Sequence, residues 1–387
     1  MGSRAMSQGA RSRAPSDKRR KDNKRQEDEM STTSTSVEAV IGGKLIKLET
    51  GQVARQAGGS VIATLGETMV FAAATSGNAR DDIDFFPLVC DYREKTESAG
   101  KIPGGFFKRE GRPTTKEILT MRLIDRSIRP MFPDGYKAEV QVMSHVLSYD
   151  GVNNADVLAM IAAFAAVRIS GLPFETSLGA VRIGQIDGEL TAWPEDEARR
   201  ENCDLDLVVS GHKDGIAMVE SSAKELAESD MIDALAMAHE IILDVVKLVD
   251  ELKAKAGKPE QTFVAPEVNT ELRDKAFEYK DRAVAAAATE GKHERSAAVS
   301  VVKKEAVAAL TAGSDDKGLV KEVKGFLKEV EKAVEREGIL NGKRIDGRKH
   351  DEIRQITIVP NSFEGNISRD LARIRIKNEE VRRRYFY

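Results

Sequence analysis

The chain is poor in residues that staple a fold. Of its 387 residues two are cysteine, Cys90 and Cys203, and five are histidine, with no C-x-x-C or H-x-x-x-H spacing. A disulfide framework is therefore excluded, and the usual zinc-ligand spacings are missing. There is one tryptophan, and aromatics make up only 5%, so two adjacent phenylalanines stand out. The longest apolar run, residues 157–167, has eleven residues, about half of the ~20 that a membrane-spanning helix needs. No membrane partner is expected. An excess of one charge sign is missing too: 60 Lys/Arg against 63 Asp/Glu leave a formal charge of −3, which excludes a histone-like polycation. What remains is 41% hydrophobic and 32% charged, a globular mixture with a heavy charge load. At ~100–200 residues per domain the length suggests two or three domains. The free cysteines fit a reducing compartment, so the cytoplasm is expected, with an organelle as the alternative.

Residues 1–36 read as a disordered basic and polar arm. Between Arg4 and Arg25 stand nine Lys/Arg, and large apolar residues are almost absent, too little to offset the entropy of ordering. There is no apolar stretch of a secretory signal. Met30 is an alternative start. Residues 37–258 mix strand and helix signals. Residues 44–48 and 61–75 read as strand, turn and strand, and 85–92 and 139–149 as strands. Residues 115–129 and 155–170 read as helices, the first bracketed by Pro113 and Pro130. Short strands are expected around 180–186, 189–193, 206–210 and 217–220. A long amphipathic helix over 224–256 ends at Gly257-Lys258-Pro259. Without a regular βαβ repeat the class is α+β. Residues 259–340, rich in Ala, Glu and Lys, read as a small all-α domain broken at 313–318. From Asn341 a strand signal returns at 353–359, and 360–387 has no coherent periodicity.

The chemistry-bearing residues lie in Gly104-Gly105-Phe106-Phe107-Lys108-Arg109-Glu110-Gly111-Arg112-Pro113. Paired rings beside cations are what single-stranded nucleic acid requires: rings stack on bases, and Lys and Arg neutralise phosphates. A hairpin tip with both rings packed inward is the alternative. In the helix that follows, Arg122, Arg126 and Arg129 recur at i, i+4 and i+7 and share a face. They form either a wall for an anionic chain or a solvated face paired with Asp125 and Glu117.

With Phe85-Phe86-Pro87-Leu88, Asp91-Tyr92-Arg93-Glu94-Lys95 and Arg122-Leu123-Ile124-Asp125-Arg126-Ser127-Ile128-Arg129-Pro130 added, the sequence from about Gly42 to Asp351 resembles the polynucleotide phosphorylases. The resemblance implies an RNase PH-type α+β core, of mixed sheets with packed helices, followed by the small all-α domain. It implies 3′-to-5′ degradation of RNA by inorganic phosphate, a Mg²⁺ requirement, a homo-trimeric ring, and partners in RNA-degradation complexes. It gives Phe106, Phe107, Lys108, Arg109, Arg112, Arg122, Arg126 and Arg129 an RNA-gripping role.

Compared with an active core of that family, two places differ. Where a serine-rich loop cradles phosphate, this chain has Gly151-Val152-Asn153-Asn154-Ala155, in which two amides are the remaining side-chain donors. Where a D-x5-D pair binds metal, Asp206 is present but Arg200 stands six residues upstream. A cation does not ligate Mg²⁺. Asp204 and Asp206 are alternatively strand-edge residues paired with Arg199 or Arg200. This core is therefore expected to be non-catalytic, with no catalytic and no metal residue. Arg344-Ile345-Asp346-Gly347-Arg348 resembles the opening of a second, catalytic core, and 341–387 is expected to be its truncated start with an aberrant tail. The leading expectation is the RNA-guiding half of a phosphorolytic exoribonuclease. The alternatives are a non-catalytic RNA-binding or ring-scaffold protein and an inactive fragment.

Overall fold

The structure, a computed structural model, describes residues 34–79, 83, 85–195, 203–265, 267–314, 316–342, 344 and 348–353, and the backbone of 356–359 and 373–376. The expected arm falls outside the described residues up to position 33, as do Arg199, Arg200 and most of the tail. Two compact units make up the chain, 1–266 and 267–387.

The first unit holds two sheets. β1 (Thr35–Ile41), β2 (Lys44–Thr50), β3 (Gly59–Leu65), β4 (Thr68–Ala79), β5 (Leu88–Arg93) and β6 (Ala138–Ser148) form one sheet in the order β1-β2-β3-β4-β6-β5. β7 (Gly179–Ile186), β8 (Glu189–Ala192), β9 (Cys203–His212) and β10 (Gly215–Ala223) form the other in the order β10-β9-β7-β8. The apolar stretch 61–75 is thus a hairpin. Its turn is Gly66, whose φ of 62° suits glycine, and a Cβ there would stand 2.7 Å from Asn153 Nδ2. β5 and β6 are the parallel pair of the larger sheet. A parallel pair needs a long crossover, and this one contains the aromatic loop and helix α1 (Thr115–Ile128).

Helix α2 (Ala155–Ile169) is buried at every residue except Arg168. It packs on β3, β4 and β6 of one sheet and β7 of the other, while α3 (Glu228–Ala256) packs on β1, β7 and β9. The two helices form the middle layer. Small residues set the spacing: a Cβ on Gly59 would lie 2.1 Å from the carbonyl oxygen of Ala166. Leu158, Met160, Ile161 and Phe164 are wholly buried, at about 1.5–3 kcal/mol of apolar transfer each. In α3 the buried Ala234, Ala238, Ile242, Val245, Val249 and Leu252 recur every three or four residues. The helix starts at Glu228 rather than 224 because β10 runs on to Ala223, paired with Leu205.

The second unit is four helices, α4 (Thr270–Phe277), α5 (Lys280–Ala287), α6 (Lys292–Leu310) and α7 (Lys317–Leu340), around Leu272, Ala276, Ala306, Val323, Phe326 and Leu327. A backbone hairpin of β11 (Ile356–Val359) and β12 (Arg373–Ile376) follows. β12 escapes the sequence reading because four alternating residues are too short a signal. Among the described residues no helix is long and apolar enough to cross a membrane. The fold class is α+β.

Candidate nucleic-acid interface

The crossover loop is pinned at both ends by carboxylates. At its exit the Thr114 hydroxyl accepts the Glu117 N–H at 3.2 Å, and the Glu117 carboxylate accepts the Thr114 N–H at 2.6 Å, a capping box that starts α1. The same carboxylate accepts the Glu94 N–H at 2.9 Å, which ties the end of β5 to the helix start. Glu110 Oε1 accepts the Thr96 N–H at 2.9 Å and its hydroxyl at 2.7 Å. Burial disfavours the Glu117 carboxylate, but the Thr114 and Glu94 N–H groups outweigh it and lower its pKa. A lowered pKa adds stability above the ordinary glutamate value of 4.5, and that stability is lost as pH falls through the folded value. Glu117→Gln is therefore expected to destabilise the chain near neutral pH. Urea midpoints measured against pH should show the gap to wild type closing in acid, whereas a constant gap rules out this linkage.

Between these pins the loop stands in solvent. Phe106 is 93% and Phe107 80% exposed. The rings meet edge to face, with centroids 5.5 Å apart and planes at 85°, so their faces stay open. This is not the inward-packed hairpin tip. Lys108, Arg109 and Arg112 are exposed beside them. Gly105 at φ 76° and Lys108 at φ 50° turn the tip.

The three arginines of α1 share a face but not a state. Arg122 is exposed, with no ion pair among the described residues. Arg126 is exposed and paired with Glu220 at 2.5 Å, a surface pair of small net worth that a phosphate can displace. Arg129 is committed to the fold. It grips Asp125 through Nε at 3.0 Å and Nη2 at 2.6 Å, and donates to the carbonyls of Phe86 at 2.9 Å and Leu88 at 3.2 Å. It fastens the last turn of α1 to β5, so its part in any RNA contact is to position the crossover.

The loop before α2 is an anion nest already filled. Asp150 Oδ1 accepts the N–H groups of Val152 and Asn153, both at 2.8 Å. Its Oδ2 accepts Asn153 Nδ2 at 2.7 Å and the Glu67 N–H at 3.2 Å. Partial burial works to raise the Asp150 pKa, but the Asn153 and Val152 donors prevail and hold it far below the usual carboxylate range. Asn153 Oδ1 in turn accepts Lys44 Nζ at 2.7 Å. Of the two amides, Asn153's is engaged, and Asn154's is buried without a partner.

Asp206 on β9 meets a cation as well, and not one near it in sequence. Arg182 of β7 lies with Nε 2.9 Å from Asp206 Oδ1 and with Nη1 at 3.0 and 3.1 Å from the two Asp156 oxygens. Asp156, in the first turn of α2, and Arg182 are both buried. Burial opposes the Asp156 carboxylate, but the Arg182 guanidinium overrides this and keeps its pKa low. Asp204 pairs with Lys224 at 3.2 Å.

Comparison with known proteins now bears on this arrangement. Residues 42–173 match the model of the 3′ exoribonuclease family, domain 1, residues 176–241 its domain 2, and residues 270–349 the polyribonucleotide nucleotidyltransferase RNA binding domain. A polyribonucleotide nucleotidyltransferase of Rhodopirellula baltica is 44% identical over 329 residues, 84% of this chain and 44% of that protein. One of Ruegeria sp. is 46% identical over 322 residues, 81% of this chain and 45% of that protein. The chain belongs to the polynucleotide phosphorylase family. It spans less than half the length of these relatives. A chain of the Archaeoglobus fulgidus exosome with RNA bound to the active site superposes with a TM-score of 0.41 at 16% identity, over 57% of this chain and 87% of that one, too loosely to support an argument.

For a polynucleotide phosphorylase, phosphate and Mg²⁺ are the groups to fit, and the residues of this core fit neither. The nest that suits an oxyanion is filled by the Asp150 carboxylate, which repels a second anion. Asp206 faces a guanidinium, and among the described residues no group of three or more His, Cys, Asp or Glu could hold a metal. Sequence reading missed both Asp150 and Arg182. The available signal was a lone cation in the otherwise apolar run Ala180-Val181-Arg182-Ile183, since a charge inside a buried strand needs a partner.

Proposed function

We propose that this chain is the RNA-holding, non-catalytic core and helical domain of a phosphate-dependent 3′-to-5′ exoribonuclease that converts RNA and inorganic phosphate to nucleoside diphosphates. The observation that carries the reading is charge substitution: Asp150 fills the anion nest and Arg182 neutralises Asp206. Phosphoryl transfer needs its anion held and its developing charge met by a cation or metal, and here side chains of the core take both places. The RNA contacts are assigned to Phe106, Phe107, Lys108, Arg109, Arg112 and Arg122. Arg126 is available by exchange from Glu220, and Arg129 acts as a positioning residue. Phosphate and Mg²⁺ belong to a second core in the same assembly, a cytoplasmic homo-trimeric ring with further partners in RNA degradation.

The test is a phosphorolysis assay of the 387-residue chain on 5′-labelled single-stranded RNA with Mg²⁺ and phosphate, with gel-shift lanes alongside. RNA retention without shortening is expected. Stepwise 3′ shortening with release of nucleoside diphosphates would overturn the non-catalytic assignment.

A further inference from the structure

Helix α7 carries a row of lysines that the fold does not use. Lys317, Lys321, Lys324, Lys328 and Lys332 follow one another at spacings of four, three, four and four. At 3.6 residues per turn they fall within about 80° of one another and extend roughly 22 Å along the helix. The face that packs the unit, Val323, Phe326, Leu327, Val330 and Val334, lies on the other side, and all five lysines are exposed.

A lysine row is by default a solvated face laced with acids, and the rest of this unit is laced in that way. Arg273 pairs with Glu329 at 2.9 Å, Lys275 with Glu271 at 2.7 Å, Lys280 with Glu337 at 2.7 Å and Lys303 with Glu331 at 2.6 Å. Glu329 and Glu331, which interleave with the row, are therefore turned to cations on other helices. Glu322 stands off the row, and Glu335 joins its face only beyond Lys332. None of the five lysines has an ion pair among the described residues. Like charges at i, i+4 destabilise a helix, so the row is a standing strain that an anionic ligand relieves.

We propose that this face of α7 is a second RNA track, which neutralises the phosphate backbone without reading bases. The inference rests on the RNA-holding function proposed above and adds a site separate in sequence from the aromatic loop. Lysine suits the task, as a hydrated point charge on a flexible stem that meets phosphates without a fixed geometry. Single-stranded RNA bound along the row releases its condensed counterions, so affinity through this track falls steeply with salt.

The experiment compares three full-length proteins: the unaltered chain, a variant with all five lysines changed to glutamine, and Phe106→Ala/Phe107→Ala. Binding of a homopolymeric single-stranded RNA is followed by fluorescence anisotropy across a salt series. With all five lysines on phosphates, the slope of log K against log salt becomes shallower by roughly 3 units in the lysine variant, at ~0.7 per contact. Its affinity converges on wild type at high salt, and its unfolding midpoint does not drop. An unchanged slope in the lysine variant, with affinity lost in the phenylalanine variant, overturns the α7 track alone. Absence of RNA binding by the unaltered chain overturns both proposals.

Discussion

Changing Phe106 and Phe107 together to alanine is expected to weaken single-stranded RNA binding by about 2–6 kcal/mol, at 1–3 for each ring that stacks a base. At 1.4 kcal/mol per tenfold the affinity falls by more than an order of magnitude. The unfolding midpoint should stay where it is, because the rings are 93% and 80% exposed and touch chiefly each other. This combination separates the loop from an ordinary packed aromatic pair, whose truncation would cost stability first. Gel shift on the double variant, with thermal unfolding as a control, checks it. Full RNA affinity in a folded double variant removes the loop from the interface.

Arg182→Met is expected to have the opposite signature. It leaves Asp156, among the most buried charged groups of the first unit, without its guanidinium. Removing one partner of a buried pair costs about 3–5 kcal/mol, or on the order of 10 °C in the melting temperature of a unit this size. Changing Asp156 to Leu in the same protein should recover most of that loss, because a well-packed apolar pair replaces a buried ion pair at little net cost. Differential scanning calorimetry of the single and double variants decides between outcomes. An unshifted single variant means the triad contributes nothing to the fold.

These two predictions rest on parts of the chain that differed in how openly the sequence displayed them. The aromatic loop was legible because adjacent phenylalanines among glycines and cations are rare in a chain this poor in aromatics. α1 was legible from its bracketing prolines, and its start, Thr115, needs only the local capping box. The division of labour along α1 was not. A helical wheel puts Arg122 and Arg129 on one face, yet only the parallel placement of β5 brings the Phe86 and Leu88 carbonyls under the last turn. Arg182 was hidden for a related reason. Its partners lie on α2 and β9, 26 and 24 positions away, and which strand borders which is set by tertiary packing. Asp150 was visible as one residue of an Asp-Gly turn, but its role depends on several N–H groups converging on one carboxylate, a geometry that spacing does not encode.

The filled nest and the neutralised carboxylate also have a thermodynamic consequence. A binding site stabilises its fold in proportion to how much ligand surrounds it, through the logarithm of concentration over dissociation constant. When the anion is Asp150 and the cation is Arg182, both are present at unit stoichiometry in every molecule, tethered by the chain. The contribution is then independent of how much phosphate or magnesium the surroundings hold. At this centre the fold has exchanged a variable that the environment sets for a constant that the gene sets.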